Sequence, residues 1–202
     1  MRVHKYCVEH PPTEPCLADK VLVDDKNQVL FCYVPKAACS TWKTAVLALR
    51  NGQNKSDFTM NEELHQPLFL WWQGITRLSS FTQVEQQRRI QTYKKFMFLR
   101  DPFERLVSAY RDKFERGVNK VFNQRHGKHI IRQYRHNATA RALQEGDDVQ
   151  FDEFVRYVTD GHSDRHWSTY QKQCCPCHVY YDVIGKLETY NEDSTGILRY
   201  FY

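Results

Sequence analysis

The residues best suited to chemistry lie in the stretch VPKAACSTWK, at positions 34–43. It follows an apolar run and leads into a helical pattern, with small side chains between the two. Backbone N–H groups at the start of a helix point outward, and the helix dipole favours an anion there. Lys36 adds a positive charge. The pattern predicts an anion-binding loop, although an ordinary strand–helix turn fits the spacing equally well, and the Walker A signature is absent.

A second stretch contains the parts of another anion site. Arg100 ends an apolar run beside a helix start, and its planar guanidinium can hold a phosphate. Ser108 follows Asp101 by two helical turns and lies on the same side of that helix. Taken singly, Arg100 is more typical of a salt bridge to Asp101 or Glu104, and Ser108 of a helix surface. Together with the first loop, they indicate two anion sites at neighbouring strand ends.

Buried strands are predicted to position these loops. Residues 29–34, 95–99 and 181–185 are short apolar runs rich in strand formers. Runs of this kind are typical of parallel strands that are covered on both faces. The predicted fold class is α/β, a parallel sheet flanked by helices. Ligands of such folds bind at the carboxyl ends of the strands, which is where both loops fall.

Helix signals follow two of these strands. Ser40 or Thr41 is predicted to cap the first helix, which Gly52 ends. Asp101 is predicted to cap the second, with proline at its first position. A further helix is expected over residues 151–158.

Composition limits the classes of protein. The chain has 202 residues, enough for one sizeable domain, and its 41% hydrophobic content excludes a disordered chain. Its net charge of +5 suits an anionic partner, but the basic residues are too dispersed for a nucleic-acid site. No apolar run is long enough to cross a membrane. An irregular arm is expected over residues 1–28, and the functional domain over 29–202.

Cysteine usage favours an oxidising compartment. The seven cysteines are Cys7, Cys16, Cys32, Cys39, Cys174, Cys175 and Cys177. An odd number leaves at least one thiol unpaired within the chain. We expect Cys32 and Cys39 to be small buried hydrophobic residues. The CCPCH pattern at 174–178 fits haem attachment or zinc, but His178 leads into a strand and no second ligand pair is evident.

These motifs together resemble a known family. VPKAACSTWK resembles the 5′-phosphosulfate loop, and FLRDPFERLVSAYRDKF the 3′-phosphate loop, of Golgi carbohydrate sulfotransferases. The similarity is to the chondroitin and dermatan 4-O-sulfotransferases and their HNK-1 relatives. It continues through NATARALQEGDDVQFDEFVRYV and CCPCHVYYDVIGKLET.

The resemblance implies a P-loop-like sulfotransferase core and a nucleotide donor, 3′-phosphoadenosine-5′-phosphosulfate (PAPS). No metal is implied, because a lysine and helix dipoles can supply the positive field. Lys36 would also stabilise charge on the bridging oxygen, while Lys186 receives no role. The residues implied to bind the donor are Lys36, Ala37, Ala38, Cys39, Ser40, Thr41 and Trp42 at the 5′ end, and Arg100 and Ser108 at the 3′-phosphate.

The family comparison also implies a general base and structural disulfides. His65, in NEELHQPLF, is the expected catalytic base, and His166 is the alternative. Either residue could instead be a structural histidine. The family has cysteines at the positions of Cys174 and Cys177. We therefore expect these two residues to form a structural disulfide, or a bridge to Cys7 or Cys16. Cys175 is expected to be an additional thiol.

An anionic glycan is the expected acceptor, and the basic residues of 120–141 suit it. Position 4 of N-acetylgalactosamine in chondroitin or dermatan is preferred, and an HNK-1-type glucuronic acid is the alternative. The family are type II membrane proteins of the Golgi lumen, whose anchor this chain lacks, and two Asn-X-Ser/Thr triplets, at 54 and 137, suit a glycoprotein. A catalytically inactive fragment that binds PAPS or glycan, or a magnesium-dependent nucleotide kinase, stays open.

Overall fold

The computed structural model describes residues 2–11, 16, 18–53, 65–115 and 117–201. They form two compact units. The first unit contains the described residues up to Arg100 and those from Thr169 onward, and the second unit contains Asp101–Ser168.

The α-helices of the described residues are α1 Arg2–Glu9, α2 Cys39–Asn51, α3 Pro67–Trp72, α4 Gln83–Thr92, α5 Pro102–Lys113, α6 Lys120–Phe122, α7 Lys128–Tyr134, α8 Ala140–Glu145, α9 Phe151–Thr159, α10 Tyr170–Cys174, α11 Pro176–Val179 and α12 Tyr190–Phe201. A short 3-10 helix covers Leu78–Ser80. A π-helical turn, Asn123–Gly127, joins α6 to α7.

A five-stranded sheet forms the centre of the first unit. Its strands are β1 Val21–Asp24, β2 Val29–Cys32, β3 Thr76–Arg77, β4 Lys94–Leu99 and β5 Val183–Lys186, in the order β3-β1-β2-β4-β5. The three predicted strands, β2, β4 and β5, pair in parallel, and the predicted α/β class is confirmed. The sheet as a whole is mixed, because β1 pairs antiparallel with both β2 and β3.

The sheet is covered on both faces. Successive side chains of a strand point to opposite faces. Phe31 and Phe96 pack with Trp42 of α2 in one cluster, whereas Leu30 and Met97 belong to a cluster on the other face. All five are nearly inaccessible to solvent. This double burial explains why the strands read as continuous apolar runs, since each buried large side chain contributes about 1.5–3 kcal/mol.

The segment predicted as an irregular arm contains regular structure. α1 and β1 both lie within residues 1–28, and every residue of β1 is buried. β1 is held by its hairpin with β2, where Asp24 Oδ1 accepts hydrogen bonds from the backbone N–H groups of Lys26 and Asn27. The arm is therefore not irregular throughout, because tertiary pairing orders a segment whose local signals are weak.

Three disulfides join the beginning of the first unit to its later helices. They are Cys7–Cys177, Cys16–Cys175 and Cys32–Cys174. The expectation that Cys32 is an unpaired hydrophobic residue is wrong, and so is the view of Cys175 as an extra thiol, because the fold brings both beside a partner. Cys39 is free, as expected, although it is only partly buried. In the chain-entropy model, a single cross-link that closes a loop of this length stabilises a fold by about 5 kcal/mol.

The start of α2 differs from its prediction. Ala38, in the left-handed conformation with φ 57°, occupies the N-cap, and no side chain of the described residues caps the helix. Ser40 and Thr41 lie inside the first turn instead, because the left-handed turn begins the helix earlier. The predicted end is confirmed, since Gly52 adopts φ 65° and donates its N–H to the carbonyl of Ala48.

The second unit is helical. Asp101 caps α5 as predicted, accepting hydrogen bonds from the N–H groups of Phe103 and Glu104. The predicted helix over 151–158 is confirmed as α9. The core of this unit is a cluster of buried side chains that includes Phe114, Ile130, Ile131, Phe154 and Trp167.

Two further features concern membrane-spanning length and the Asn-X-Ser/Thr triplets. Within the part of the chain that the structure covers, no helix combines the length and apolar character needed to cross a bilayer. Asn137 of the second triplet is exposed in a turn, and Thr139 caps α8 by accepting a hydrogen bond from the N–H of Ala142. The first triplet, Asn54-Lys55-Ser56, lies outside the described residues.

Candidate functional site

The two predicted loops leave neighbouring parallel strands at the same edge of the sheet. β2 pairs in parallel with β4, with Cys32 opposite Met97, so their carboxyl ends lie at the same edge of the sheet, where β4 continues to Leu99. Lys36 follows β2, and Arg100 follows β4 directly. Lys186 ends β5, where it pairs with Leu99 at the end of β4. Three cationic residues of the first unit therefore come from the carboxyl ends of adjacent strands, the ligand-binding edge of such sheets.

The loop after β2 has an unusual backbone. Lys36 and Ala38 both adopt left-handed conformations, with φ of 69° and 57°. Few residues other than glycine do so, because the Cβ atom clashes with the backbone. Strained residues of this kind persist where the surrounding structure fixes them, and they concentrate at ligand sites. Ala37 between them is buried and donates its N–H to the carbonyl of Val34 at 3.2 Å.

The first turn of α2 presents backbone donors. In an α-helix the first N–H groups have no partner within the helix. Here these are the N–H groups of Cys39, Ser40 and Thr41, since Trp42 N–H already donates to the carbonyl of Ala38 at 3.0 Å. The Trp42 side chain is buried against Phe96, with 5.0 Å between the ring centroids. Trp42 therefore anchors the loop to the core.

His65 lies against this first turn. Its Nε2 is 3.1 Å from Ser40 Oγ, and its Nδ1 is 3.3 Å from Lys43 Nζ. His65 is exposed, whereas Lys43 is buried. The Lys43 ammonium also faces the ring of Tyr33, 4.0 Å from its centroid. The predicted base is thus brought beside the predicted donor loop, although the two are far apart in sequence.

Arg100 is fixed through its backbone by Tyr170. The Tyr170 hydroxyl donates to the Arg100 carbonyl at 2.6 Å and accepts from the Arg100 N–H at 3.2 Å. One side chain therefore satisfies both polar groups of the first residue after β4. These two hydrogen bonds fix the backbone position from which the Arg100 side chain extends.

The remaining predicted residues belong to the second unit. Ser108 is half-buried on α5. His166 is buried, and its Nδ1 lies 2.6 Å from Asp164 Oδ1. Burial lowers the pKa of His166 more than the neighbouring carboxylate raises it. A buried ring already bonded to a carboxylate has the features of a structural histidine.

Asp164 connects two histidines of that unit. Its other oxygen lies 3.7 Å from His126 Nε2, and His126 Nδ1 is 3.1 Å from the Tyr157 hydroxyl. Burial acts to raise the pKa of Asp164, but the contacts with His126 and His166 outweigh it and hold the pKa well below its usual range.

Comparison with known proteins identifies the family. The model described as "Sulfotransferase family" matches residues 19–201. The chain belongs to this sulfotransferase family. It is 43% identical over 188 residues to carbohydrate sulfotransferase 11 of Rattus norvegicus, a match that covers 89% of this chain and 52% of the relative.

Two further relatives are also named carbohydrate sulfotransferases. Carbohydrate sulfotransferase 8 of Mus musculus is 38% identical over 92% of this chain and 44% of its own length. Carbohydrate sulfotransferase 10 of Homo sapiens is 38% identical over 95% of this chain and 55% of its own length. The chain spans about half the length of the curated relatives it matches. No solved structure matches.

Two residues near this edge of the sheet, Lys43 and Tyr170, were not identified from the sequence. Lys43 lies one helical turn beyond Ser40 on α2, and its position on the apolar face of that helix could have drawn attention to it. Tyr170 had no such signal, because its role depends on a fold that returns residue 170 to the end of β4. Within the described residues, no cluster of His, Cys, Asp and Glu side chains is arranged to hold a metal ion.

Proposed function

We propose that this sulfotransferase chain transfers a sulfonate group from PAPS to a hydroxyl of a glycosaminoglycan-type glycan. The observation that carries the proposal is the placement of Lys36 and Arg100 after the adjacent parallel strands β2 and β4. A doubly phosphorylated nucleotide needs two anion sites at a fixed separation, and neighbouring strand ends supply them.

The donor would be held from both ends. At its 5′ end, Lys36 and the N–H donors of Cys39, Ser40 and Thr41 face the phosphosulfate, where the dipole of α2 adds to the positive field. Ala37, Ala38 and Trp42 shape and anchor that loop. At the other end, Arg100 and Ser108 bind the 3′-phosphate. A charge-assisted hydrogen bond contributes about 1.5–3 kcal/mol, so a few of them suffice for firm binding.

Transfer requires one bond to form as another breaks. The acceptor oxygen attacks the sulfur atom, and the bond from sulfur to the bridging oxygen breaks, leaving 3′-phosphoadenosine-5′-phosphate. Lys36 stabilises the negative charge that develops on the bridging oxygen. His65 takes the proton of the acceptor hydroxyl, a contribution of about 10²–10⁴ in rate. The contact between His65 and Ser40 supports this assignment, because it holds the base at the donor loop.

The acceptor is proposed to be an anionic glycan. The three relatives are all named carbohydrate sulfotransferases, and the basic residues of 120–141 suit a polyanion. We prefer position 4 of N-acetylgalactosamine in chondroitin or dermatan, with an HNK-1-type glucuronic acid as the alternative. Three disulfides and the exposed Asn137 triplet support action in the Golgi lumen.

The test combines transfer with binding. The purified chain is incubated with donor labelled in its sulfonate group and a panel of desulfated glycans, without added metal. Labelled chondroitin or dermatan is the expected product. Calorimetry with 3′-phosphoadenosine-5′-phosphate measures donor-site affinity, and Lys36→Ala and Arg100→Ala should both weaken it. Normal nucleotide affinity in both variants would contradict the site.

A binding module is the second candidate. The donor loop and Arg100 would bind the nucleotide whether or not transfer follows. Nucleotide or glycan binding without any transfer in the same experiment would support it. Dependence on magnesium and a nucleoside triphosphate would instead indicate a kinase.

A further inference from the structure

Helix α10 meets the end of β4 at Tyr170, the first residue of the helix. The ladder between β4 and β5 ends at Leu99, which lies opposite Lys186. At the next residue, the Tyr170 hydroxyl donates to the Arg100 carbonyl at 2.6 Å and accepts from the Arg100 N–H at 3.2 Å. The Tyr170 ring packs, partly buried, against the cluster that contains Met97. The backbone of Arg100 is therefore held beyond the end of the ladder by a side chain that is itself packed in the core.

Helix α10 is fixed at its other end as well. Cys174, its last residue, is fully buried and forms a disulfide with Cys32, the last residue of β2. The Cys174 carbonyl also accepts a hydrogen bond from the Tyr181 hydroxyl at 2.7 Å. Cys175, which follows the helix, forms a second disulfide with Cys16. A helix this short is about 7 Å long, so holding Cys174 also restricts the movement of its first residue.

These bonds connect the two loops that are proposed to bind the donor. Cys32 lies shortly before Lys36 of the 5′ loop, and α10 leads from Cys174 back to the residue that holds Arg100. β2 is thus joined to the end of β4 in two ways, through the ladder in which Cys32 lies opposite Met97 and through the disulfide and α10. The second connection reaches Arg100 itself.

We propose that Tyr170 is a positioning residue for the 3′-phosphate site, and that the Cys32–Cys174 disulfide fixes it to the strand that leads into the 5′ loop. This inference rests on the proposed function and adds to it a means by which the fold sets the separation of the two anion sites. A long arginine side chain loses conformational freedom when it binds a phosphate, and a backbone that is already fixed limits this loss. Oxidation of the Cys32–Cys174 pair would thereby favour nucleotides that carry a 3′-phosphate.

Tyr170→Phe in the full chain tests the positioning role. Calorimetric titration measures affinity for 3′-phosphoadenosine-5′-phosphate and for adenosine 5′-monophosphate, which differ only in the 3′-phosphate. Phenylalanine keeps the ring but removes both hydrogen bonds to Arg100. Affinity for the first nucleotide should fall about tenfold, and affinity for the second by less than about twofold.

Tyr93→Phe is the matched control for this substitution. Tyr93 immediately precedes the first residue of β4, at the opposite end of the strand from Arg100, and its hydroxyl donates to Asp25 Oδ1 at 2.7 Å. Removing that hydroxyl deletes a hydrogen bond of similar length from the same unit. The control should leave the ratio of the two nucleotide affinities unchanged.

A pair of double variants tests the disulfide. Cys32→Ala with Cys174→Ala should lower the ratio of the two affinities by about threefold, because α10 is then free to shift. Cys7→Ala with Cys177→Ala removes the disulfide between α1 and α11 and should leave the ratio unchanged. Thermal unfolding measures the stability that each double variant loses. Lower stability affects the binding of both nucleotides alike, so it does not change their ratio.

The outcomes separate this inference from the proposed function. Equal losses for the two nucleotides in Tyr170→Phe, or no loss for either, would overturn the positioning role. Equal changes of the ratio in the two double variants would overturn the role of the Cys32–Cys174 disulfide. An unsubstituted chain that does not distinguish the two nucleotides would contradict the proposed donor site, and this inference with it.

Discussion

His65 and His166, the two candidate bases, lie in opposite surroundings. His65 is exposed and contacts a lysine and a serine of the donor loop. His166 is buried in the second unit and bonded to the carboxylate of Asp164. A base must reach a substrate and exchange its proton readily, whereas a histidine in a closed network holds its neighbours in place. The contrast shows that the environment of a histidine, more than its spacing in a motif, determines its use.

The largest expected effect separates these two roles directly. His65→Ala should lower kcat by about 10²–10⁴ and leave donor affinity nearly unchanged, because it removes the proposed base without touching the anion sites. Transfer rates and nucleotide calorimetry measure both quantities. His178→Ala, which removes an exposed histidine of α11 outside the proposed donor and acceptor sites, is the matched control. Retained transfer in His65→Ala, with loss of transfer in a folded His166→Gln variant, would reverse the assignment.

Asp164→Ala tests the structural side of the comparison. It removes the acidic partner of two buried histidines and should lower the free energy of unfolding by about 3 kcal/mol. Chemical denaturation with a probe of the second unit measures the change. Asp152→Ala, which removes an exposed carboxylate on α9, should change stability by less than about 1 kcal/mol. Equal stability of the two variants would show that the buried network contributes nothing.

The pH dependence of stability should come from the buried histidine. The pKa of His166 is lowered in the folded chain from an ordinary value of 6.5, so the unfolded chain binds more protons below that pH. The contribution is complete above pH 6.5 and is lost as pH falls through the lower folded value. Denaturation midpoints measured at decreasing pH should therefore fall, and His166→Gln should reduce this slope. An unchanged slope in that variant would assign it to other groups.

Ser40→Ala should produce the smallest effect. It removes the hydrogen bond between Ser40 Oγ and His65 Nε2, a loss of about 1 kcal/mol or roughly fivefold in kcat. The N–H groups of the first turn remain, so donor affinity should change little. Steady-state kinetics and calorimetry give the two values. A loss of more than about 100-fold would mean that the hydroxyl contacts the reacting atoms.

Local patterns in the sequence were sufficient for the central strands and for one helix start. β2 and the inner residues of β4 are buried on both faces, so each is a continuous apolar run, and Val183 and Ile184 of β5 pack partly buried against the two clusters. The beginning of α5 depends only on local residues, because the Asp101 carboxylate caps the helix and Pro102 occupies its first position. Parallel pairing follows from the helices between these strands, which places Lys36 and Arg100 after neighbouring strand ends.

Tertiary structure decided what depends on distant partners. No local signal reports that Cys32 pairs with Cys174, that β1 completes the sheet, or that Tyr170 fixes the backbone of Arg100. The left-handed turn at Ala38 is likewise held by its surroundings, since alanine has no preference for it.

The candidate base shows the same division. The sequence by itself determined that a histidine follows the donor-loop helix, because residue type and order are local facts. Only the fold determined that His65 lies between Ser40 and Lys43, and that Lys43 is buried against Tyr33. Contacts between residues this far apart in the sequence are properties of the folded chain.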